Sequence, residues 1–142
     1  MILRDATPDD APAIARMMGD WIATTDWMPK LHSAEATLQF GHDLVREQTV
    51  RLVAAPLGMG FLARKEDEVN AFVLDPALRR LGLGKVLLDE AKAATGHLAL
   101  WAFQANDGAR RFYAREGFRE VLLTDGAQNF EKLADVRLEW SA

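Results

Sequence analysis

Cysteine is absent from the 142 residues, which removes a disulfide framework, a thiolate nucleophile and every cysteine-based zinc or iron-sulfur site. Tyrosine occurs once, so chemistry that needs a phenol has a single candidate, Tyr113. No apolar run approaches the roughly 20 residues needed to span a bilayer. The opening MILRDATPDD also lacks the basic start and apolar core of a signal peptide. These absences lead to the expectation of a cytoplasmic protein with no membrane partner. An excess of basic charge is missing too: the net charge is −4 and the Lys and Arg residues are dispersed. Neutralising a phosphate backbone needs a broad basic surface, so no nucleic-acid partner is expected, although a small local basic site is allowed. The length suits one domain, residues 1–142, able to bury a core without metal or cross-links.

The patterns that are present change period along the chain. MILRD suits a first strand. In TPDDAPAIARMMGDWI, Thr7 can cap a helix, Pro8 takes its first position, and Asp9 and Asp10 complement the helix dipole. Ile14, Met17, Met18, Trp21 and Ile22 follow at helical spacing. After the loop TTDWMPKLH, Ser33 can cap a second helix through Leu38, Phe40, Leu44 and Val45. TVRLVAA, MGFLARKE and EVNAFVLD then read as three consecutive strands separated by turn signals. A helix after RRLGLGK carries Leu83, Val86, Leu87, Ala91 and Ala94 on one face, and HLALWAF beyond it reads as a strand, which makes a crossover unit. A last helix from about Asp107 to Glu116, stopped by Gly117, precedes two closing strands, FREVLLT and DVRLEW, with the polar loop TDGAQNFEKLAD between them. The pattern is that of one α/β domain with a mixed sheet. A terminal VRLEW strand at a sheet edge would allow two copies to pair as a homodimer.

The junction RRLGLGK admits several readings. Its glycines can simply end a strand while Arg and Lys decorate a solvated helix end. A dinucleotide fingerprint would need Gly or Ala at position 87, where Leu87 stands, and would come near the start of a first βαβ unit. A Walker A loop would need Gly at 79 and Ser or Thr at 86, where Arg79 and Val86 stand, which argues against nucleotide hydrolysis. The remaining reading is that the N–H groups of residues 80 to 85, opening a helix, converge on an anion such as a pyrophosphate. Glycine at 82 and 84 would then permit the turn and the close approach of phosphate oxygens.

The run VLDPALRRLGLGKVLLDEA resembles motif A of the GNAT superfamily of N-acetyltransferases, whose pattern of Gln or Arg, two residues, Gly, one residue, Gly or Ala is filled by Arg79, Gly82 and Gly84. NDGARRFYAREGF is similar to the second signature of that family, through Asn106, Tyr113, Gly117 and Phe118. Two motifs in order, with the expected strand between them, are more specific than either alone. The resemblance implies a GNAT-like α/β fold: a mixed, mostly antiparallel sheet of six to seven strands, splayed central strands and about four helices.

It also implies acetyl-CoA as cosubstrate and an amine as acceptor, with no metal. By that likeness Arg80, Leu81, Gly82, Leu83, Gly84 and Lys85 hold the pyrophosphate, and Arg79 belongs to the same cofactor site. Phe72, Val73 and Leu74 offer free backbone to the pantetheine arm, and one of their N–H groups meets the acetyl carbonyl. Asn106 would hydrogen-bond near the arm or simply cap its helix. Tyr113 resembles the residue that returns a proton to the CoA thiolate, with core packing as its plainer role. Glu68 stands where some members carry a general base, although it also lies in a solvated acidic turn. Other members place that Glu on the next strand, where this chain has Trp101. The acceptor pocket is expected among the first two helices and their loop, with Trp27 and Trp101 as its wall and Trp21, Met28, His32 and Phe103 as further candidates; for Trp21 core packing is favoured. His32 lacks partners for a metal site. A small amine is the expected acceptor. Two other readings stay open: a non-catalytic acyl-CoA-binding module, and acetylation of a protein N-terminus or side-chain amine.

Overall fold

In the computed structural model, which describes residues 1–142, the chain leaves strand β1 (Ile2–Asp5) through one 3-10 turn at Pro8–Asp10 and enters helix α1 (Ala11–Thr24). Thr7 therefore caps the turn rather than the α-helix itself. The Asp10 carboxylate fixes this entry by accepting from the Thr7 N–H at 2.7 Å and from the Arg4 guanidinium at 2.7 and 2.9 Å. Helix α2 (Ala34–Glu47) starts at Ser33, whose hydroxyl accepts from the Ala36 N–H at 3.1 Å, as its capping chemistry predicts. Strands β2 (Thr49–Ala55), β3 (Gly58–Lys65) and β4 (Glu68–Leu74) follow as consecutive hairpins.

After β4, Pro76 opens a short helical turn, α3 (Pro76–Arg79), which the sequence reading does not separate from the glycine-rich junction. Then come α4 (Leu83–Thr95), β5 (His97–Phe103), α5 (Asp107–Arg115), β6 (Arg119–Thr124) and β7 (Asp135–Ser141). The strands form one sheet in the order β1-β2-β3-β4-β5-β7-β6. Every neighbouring pair is antiparallel except β4 with β5, whose parallel relation requires the crossover that α4 supplies. One expectation is corrected here. The VRLEW strand, β7, lies between β5 and β6, because β5 and β6 both pair with it; β1 and β6 are the edges.

Two cores sandwich the sheet. Ile14, Met17 and Leu44 of α1 and α2 pack on Phe61 and Ala63, while Leu87 and Leu88 of α4 and Tyr113 of α5 pack with Leu98, Leu100 and Leu138 on the other face. The feature that shapes the site is a bulge in β4. Ala63 pairs with Ala71 but Arg64 pairs with Val69, so Asn70 is one residue too many. An inserted residue reverses the face on which later side chains fall. Val69 and Phe72 accordingly pack toward α4 and α5, and Ala71 and Val73 toward α1 and α2. The same bulge bends the strand. β4 pairs with β5 only at Glu68–Ala99 and Val69–Leu100, and beyond that point the two strands diverge.

Candidate active site

The first wall of the site is the start of α4. Gly82, at φ +73°, takes the left-handed conformation that favours glycine and turns the chain from α3 into the helix. The N–H groups of residues 82 to 85 find no acceptor in the protein; the first one paired is that of Val86, to the Gly82 carbonyl at 3.2 Å. Gly84 is not required by crowding inside the protein, since a Cβ there would meet Leu74 and Phe72 at 3.5 to 3.7 Å, an ordinary contact. Its bare backbone is therefore available to something outside the chain.

The basic side chains near this turn divide into two groups. Arg80 is exposed and has no ion-pair partner, and Arg79 donates to the Leu74 carbonyl at 3.3 Å. Lys85, expected at the phosphates, instead bonds Glu116 at 3.0 Å and Asp89 at 3.4 Å, so its free N–H is what it offers. Leu81 is exposed and Leu83 is buried in the core, its N–H left facing outward with the others.

The second wall is the open edge of β4. Asp75 donates its N–H to the Met59 carbonyl of β3 at 2.8 Å, and residues of an antiparallel ladder alternate in direction. Val73 therefore turns its backbone to β3, whereas Phe72 and Leu74 turn theirs to the gap. Of the three residues expected to present backbone groups there, Val73 does not. Buried strand edges are ordinarily paired, so this edge calls for a partner. The Asp75 carboxylate, held by Arg16 at 2.9 and 3.0 Å and by the Met59 N–H at 2.9 Å, fixes the end of the strand.

Between β4 and β5 the divergence opens a cavity of about 640 Å³, and 18 of its 24 lining residues are apolar. Tyr113 lines it. Edge-on contacts run from Phe72 to Phe112 and from Phe112 to Tyr113, and Phe118 lies against the tyrosine ring at 5.2 Å between centroids, fixing its position. The Tyr113 hydroxyl bonds no protein group, and no sealed side-chain polar atom is left unpartnered, so it opens on the cavity. Burial pushes this phenol well above its ordinary value and keeps it protonated. Asn106, also in the lining, does cap α5: its Oδ1 accepts from the Ala109 N–H at 3.1 Å, which leaves its amide N–H donors free.

The acceptor-side expectations fare unevenly. Trp101, Met28, His32 and Phe103 line the cavity, and so does Trp21, which helical spacing assigned to the core. Trp27 does not line it. Its ring stands edge-on to Trp21 at 5.9 Å and to Phe103 at 5.7 Å, and it braces those two walls from behind. Glu68 is also outside the lining. Its carboxylate is held by Arg137 at 2.6 and 2.7 Å, and that guanidinium lies 5.3 Å from the centre of the Trp101 ring. Sequence reasoning missed Phe130 and Glu131, both in the lining. The one available signal was a lone phenylalanine in the polar loop 124–135, an apolar residue with no periodicity to bury it.

Residues 44–120 match the acetyltransferase (GNAT) domain, and the chain belongs to that family of acetyl-CoA-dependent acetyltransferases. The chain is 29% identical over 133 residues to the peptidyl-lysine N-acetyltransferase YiaC of Escherichia coli, covering 84% of each protein. It is 40% identical over 73 residues, 47% of its length, to mycothiol acetyltransferase of Clavibacter michiganensis, but spans only 24% of that protein. Among solved structures it resembles apo YjaB from Escherichia coli, with TM-score 0.80 and 16% identity over 99% of this chain and 98% of that one. It also resembles yncA from Salmonella typhimurium, solved with its cofactor acetyl-CoA, with TM-score 0.72 and 17% identity over 99% of this chain and 93% of that one.

Proposed function

We propose that the protein transfers an acetyl group from acetyl-CoA directly to the nitrogen of a small amine, within one complex of enzyme, acetyl-CoA and amine. The supporting observation is the adjacency of two backbone sets that no strand or helix pairs: the open edge of β4, where the Leu74 carbonyl alone is taken, by Arg79, and the four free N–H groups at the start of α4. Those N–H groups suit a pyrophosphate, assisted by Arg80. The Phe72 and Leu74 backbone groups suit the amide-bearing pantetheine arm, which takes the place of a missing strand. An N–H of that edge then donates to the acetyl oxygen as negative charge develops on it.

The chemistry balances without an acyl-enzyme. The ammonium form of the acceptor first gives a proton to water. The amine nitrogen then attacks the acetyl carbon, the carbon–sulfur bond breaks, the Tyr113 hydroxyl protonates the departing thiolate, the nitrogen loses its second proton to water, and water returns a proton to the Tyr113 phenolate. A phenol with a raised pKa is a reluctant donor. The same apolar surroundings raise the thiol as well, so the gap of about 2 kcal/mol between ordinary phenol and thiol values does not widen in proportion. Glu68 is not given the role of base in this scheme, because both its oxygens are occupied by Arg137. That same occupancy favours a second reading, an acyl-CoA-binding module without turnover. Calorimetry with CoA and thiol release with a panel of amines separate the two. Binding with release supports the enzyme, binding without release supports the module, and absence of binding overturns both.

A further inference from the structure

Two loops from opposite arms of the opened sheet meet over the cavity. Residues 25–33, between α1 and α2, belong to the β4 arm, because α1 packs on β3 and β4. Residues 125–134, between β6 and β7, belong to the β5 arm, because β7 pairs with β5. The loops join where the His32 ring stacks on Phe130, with centroids 5.2 Å apart and planes 17° from parallel, and both rings line the cavity. The second loop is braced from within. The Asn129 amide donates to the Leu133 carbonyl at 2.7 Å and to the Asp135 carboxylate at 3.1 Å, and its oxygen accepts from the Leu133 N–H at 3.2 Å. Asp135 is itself buried and bonded to Thr124. Phe130 and Glu131 thus project from a supported turn.

Glu131 is the one Asp, Glu, Lys or Arg in the cavity lining, and its carboxylate takes part in no ion pair or hydrogen bond within the protein. Trp21, Trp101 and Phe103 form apolar walls of the same space. Among apolar groups a carboxylate attracts a cation more strongly than it does in water, because less solvent screens the pair. Aromatic faces add to the attraction for an ammonium.

We propose that Glu131 and the His32–Phe130 bridge select the acceptor: a small primary amine with an apolar or aromatic body, its ammonium drawn in by Glu131 and polypeptide amines obstructed by the bridge. The inference rests on the acetyltransferase reading above. A peptide acceptor must lead its chain away from the reacting nitrogen through the mouth, and the bridge spans that mouth from one arm to the other. A small amine enters whole. Glu131 acts at capture, before bond formation, so its contribution lies in KM.

The test compares 2-phenylethylamine with a short lysine-containing peptide, following thiol release from acetyl-CoA while acetyl-CoA binding is measured by calorimetry. The wild-type protein should prefer the amine by about 100-fold or more in kcat/KM. Phe130→Ala, a truncation at an exposed side chain, should narrow that preference by roughly 10-fold through improved use of the peptide. Glu131→Gln should raise the KM for 2-phenylethylamine about 10-fold with kcat within about threefold, and Glu131→Asp should restore most of it. Inhibition by 2-phenylethanol, which has the same shape and no charge, should be unchanged in Glu131→Gln. Equal use of peptide and amine by the wild-type protein, or a KM untouched by Glu131→Gln, overturns the inference while acetyl-CoA binding and turnover still support the acetyltransferase reading. Absence of acetyl-CoA binding overturns both.

Discussion

Glu68 and Arg137 reach across β5 to form a two-point ion pair, Oε1 to Nη2 at 2.6 Å and Oε2 to Nη1 at 2.7 Å, and the guanidinium lies 5.3 Å from the centre of the Trp101 ring. The carboxylate that sequence position offers as a base is thereby made a strut that holds one wall of the cavity. Glu68→Gln should cost about 1 kcal/mol of stability, in the range of a partly exposed ion pair. It should leave kcat/KM for a small amine within about threefold, whereas losing a general base costs on the order of 10² or more. Thiol-release kinetics against pH check this. A large fall in rate, with loss of the acid limb of the profile, would return the role of base to Glu68.

Tyr113 is held by the rings of Phe112 and Phe118, and its hydroxyl bonds nothing in the protein. Tyr113→Phe should therefore keep the fold within about 0.5 kcal/mol, because no hydrogen bond is lost and the ring remains. The same change should lower kcat on the order of 10² with CoA affinity nearly retained. Melting temperature, calorimetry and thiol release together test this. An unaltered kcat removes the phenol from the reaction.

Much of this was legible in the sequence because the signals were local. Ser33, Asn106 and the short apolar runs TVRLVAA and HLALWAF specify caps and strands through neighbours a few residues away. The Gly82 turn was legible for the same reason, since left-handed backbone leaves few residue types to choose from. The cavity walls were not legible, because they depend on where elements land after packing. Trp21 lies on the helical stripe that normally faces a core, yet the divergence of β4 and β5 leaves open space beside it. Trp27 and Trp21 differ only in which of two touching rings faces that space. The Asn70 bulge, which sets the parity of Phe72 and Leu74, has no marker in EVNAFVL.

Gly82 and Gly84 serve different ends, and substitution separates them. Gly82→Ala forces a side chain into φ +73°, which should cost about 1 kcal/mol of stability in urea unfolding. Gly84→Glu places its Cβ in ordinary contact with Leu74 and Phe72 and should leave stability within about 1 kcal/mol. At the proposed pyrophosphate site its carboxylate would repel the anion, so calorimetry should find no CoA binding. Unchanged affinity in a folded Gly84→Glu protein would place the anion elsewhere.

Asp10 supplies a pH dependence with a definite sign. The Arg4 guanidinium and the Thr7 N–H hold its carboxyl at about 2, below the ordinary value, so the unfolded chain binds this proton more readily than the folded one. The resulting stabilisation, about 2 kcal/mol, is fully present above about pH 4 and is lost as pH falls through about 2. Arg4 is 42% exposed, and its solvent screening makes that figure an upper bound. Asp10→Asn should accordingly destabilise the protein by 1 to ~2 kcal/mol in urea titrations at pH 7 and by much less at pH 2, where the wild-type carboxyl is itself being protonated. A difference that stayed constant across that range would show that Asp10 acts through shape and hydrogen bonding rather than charge.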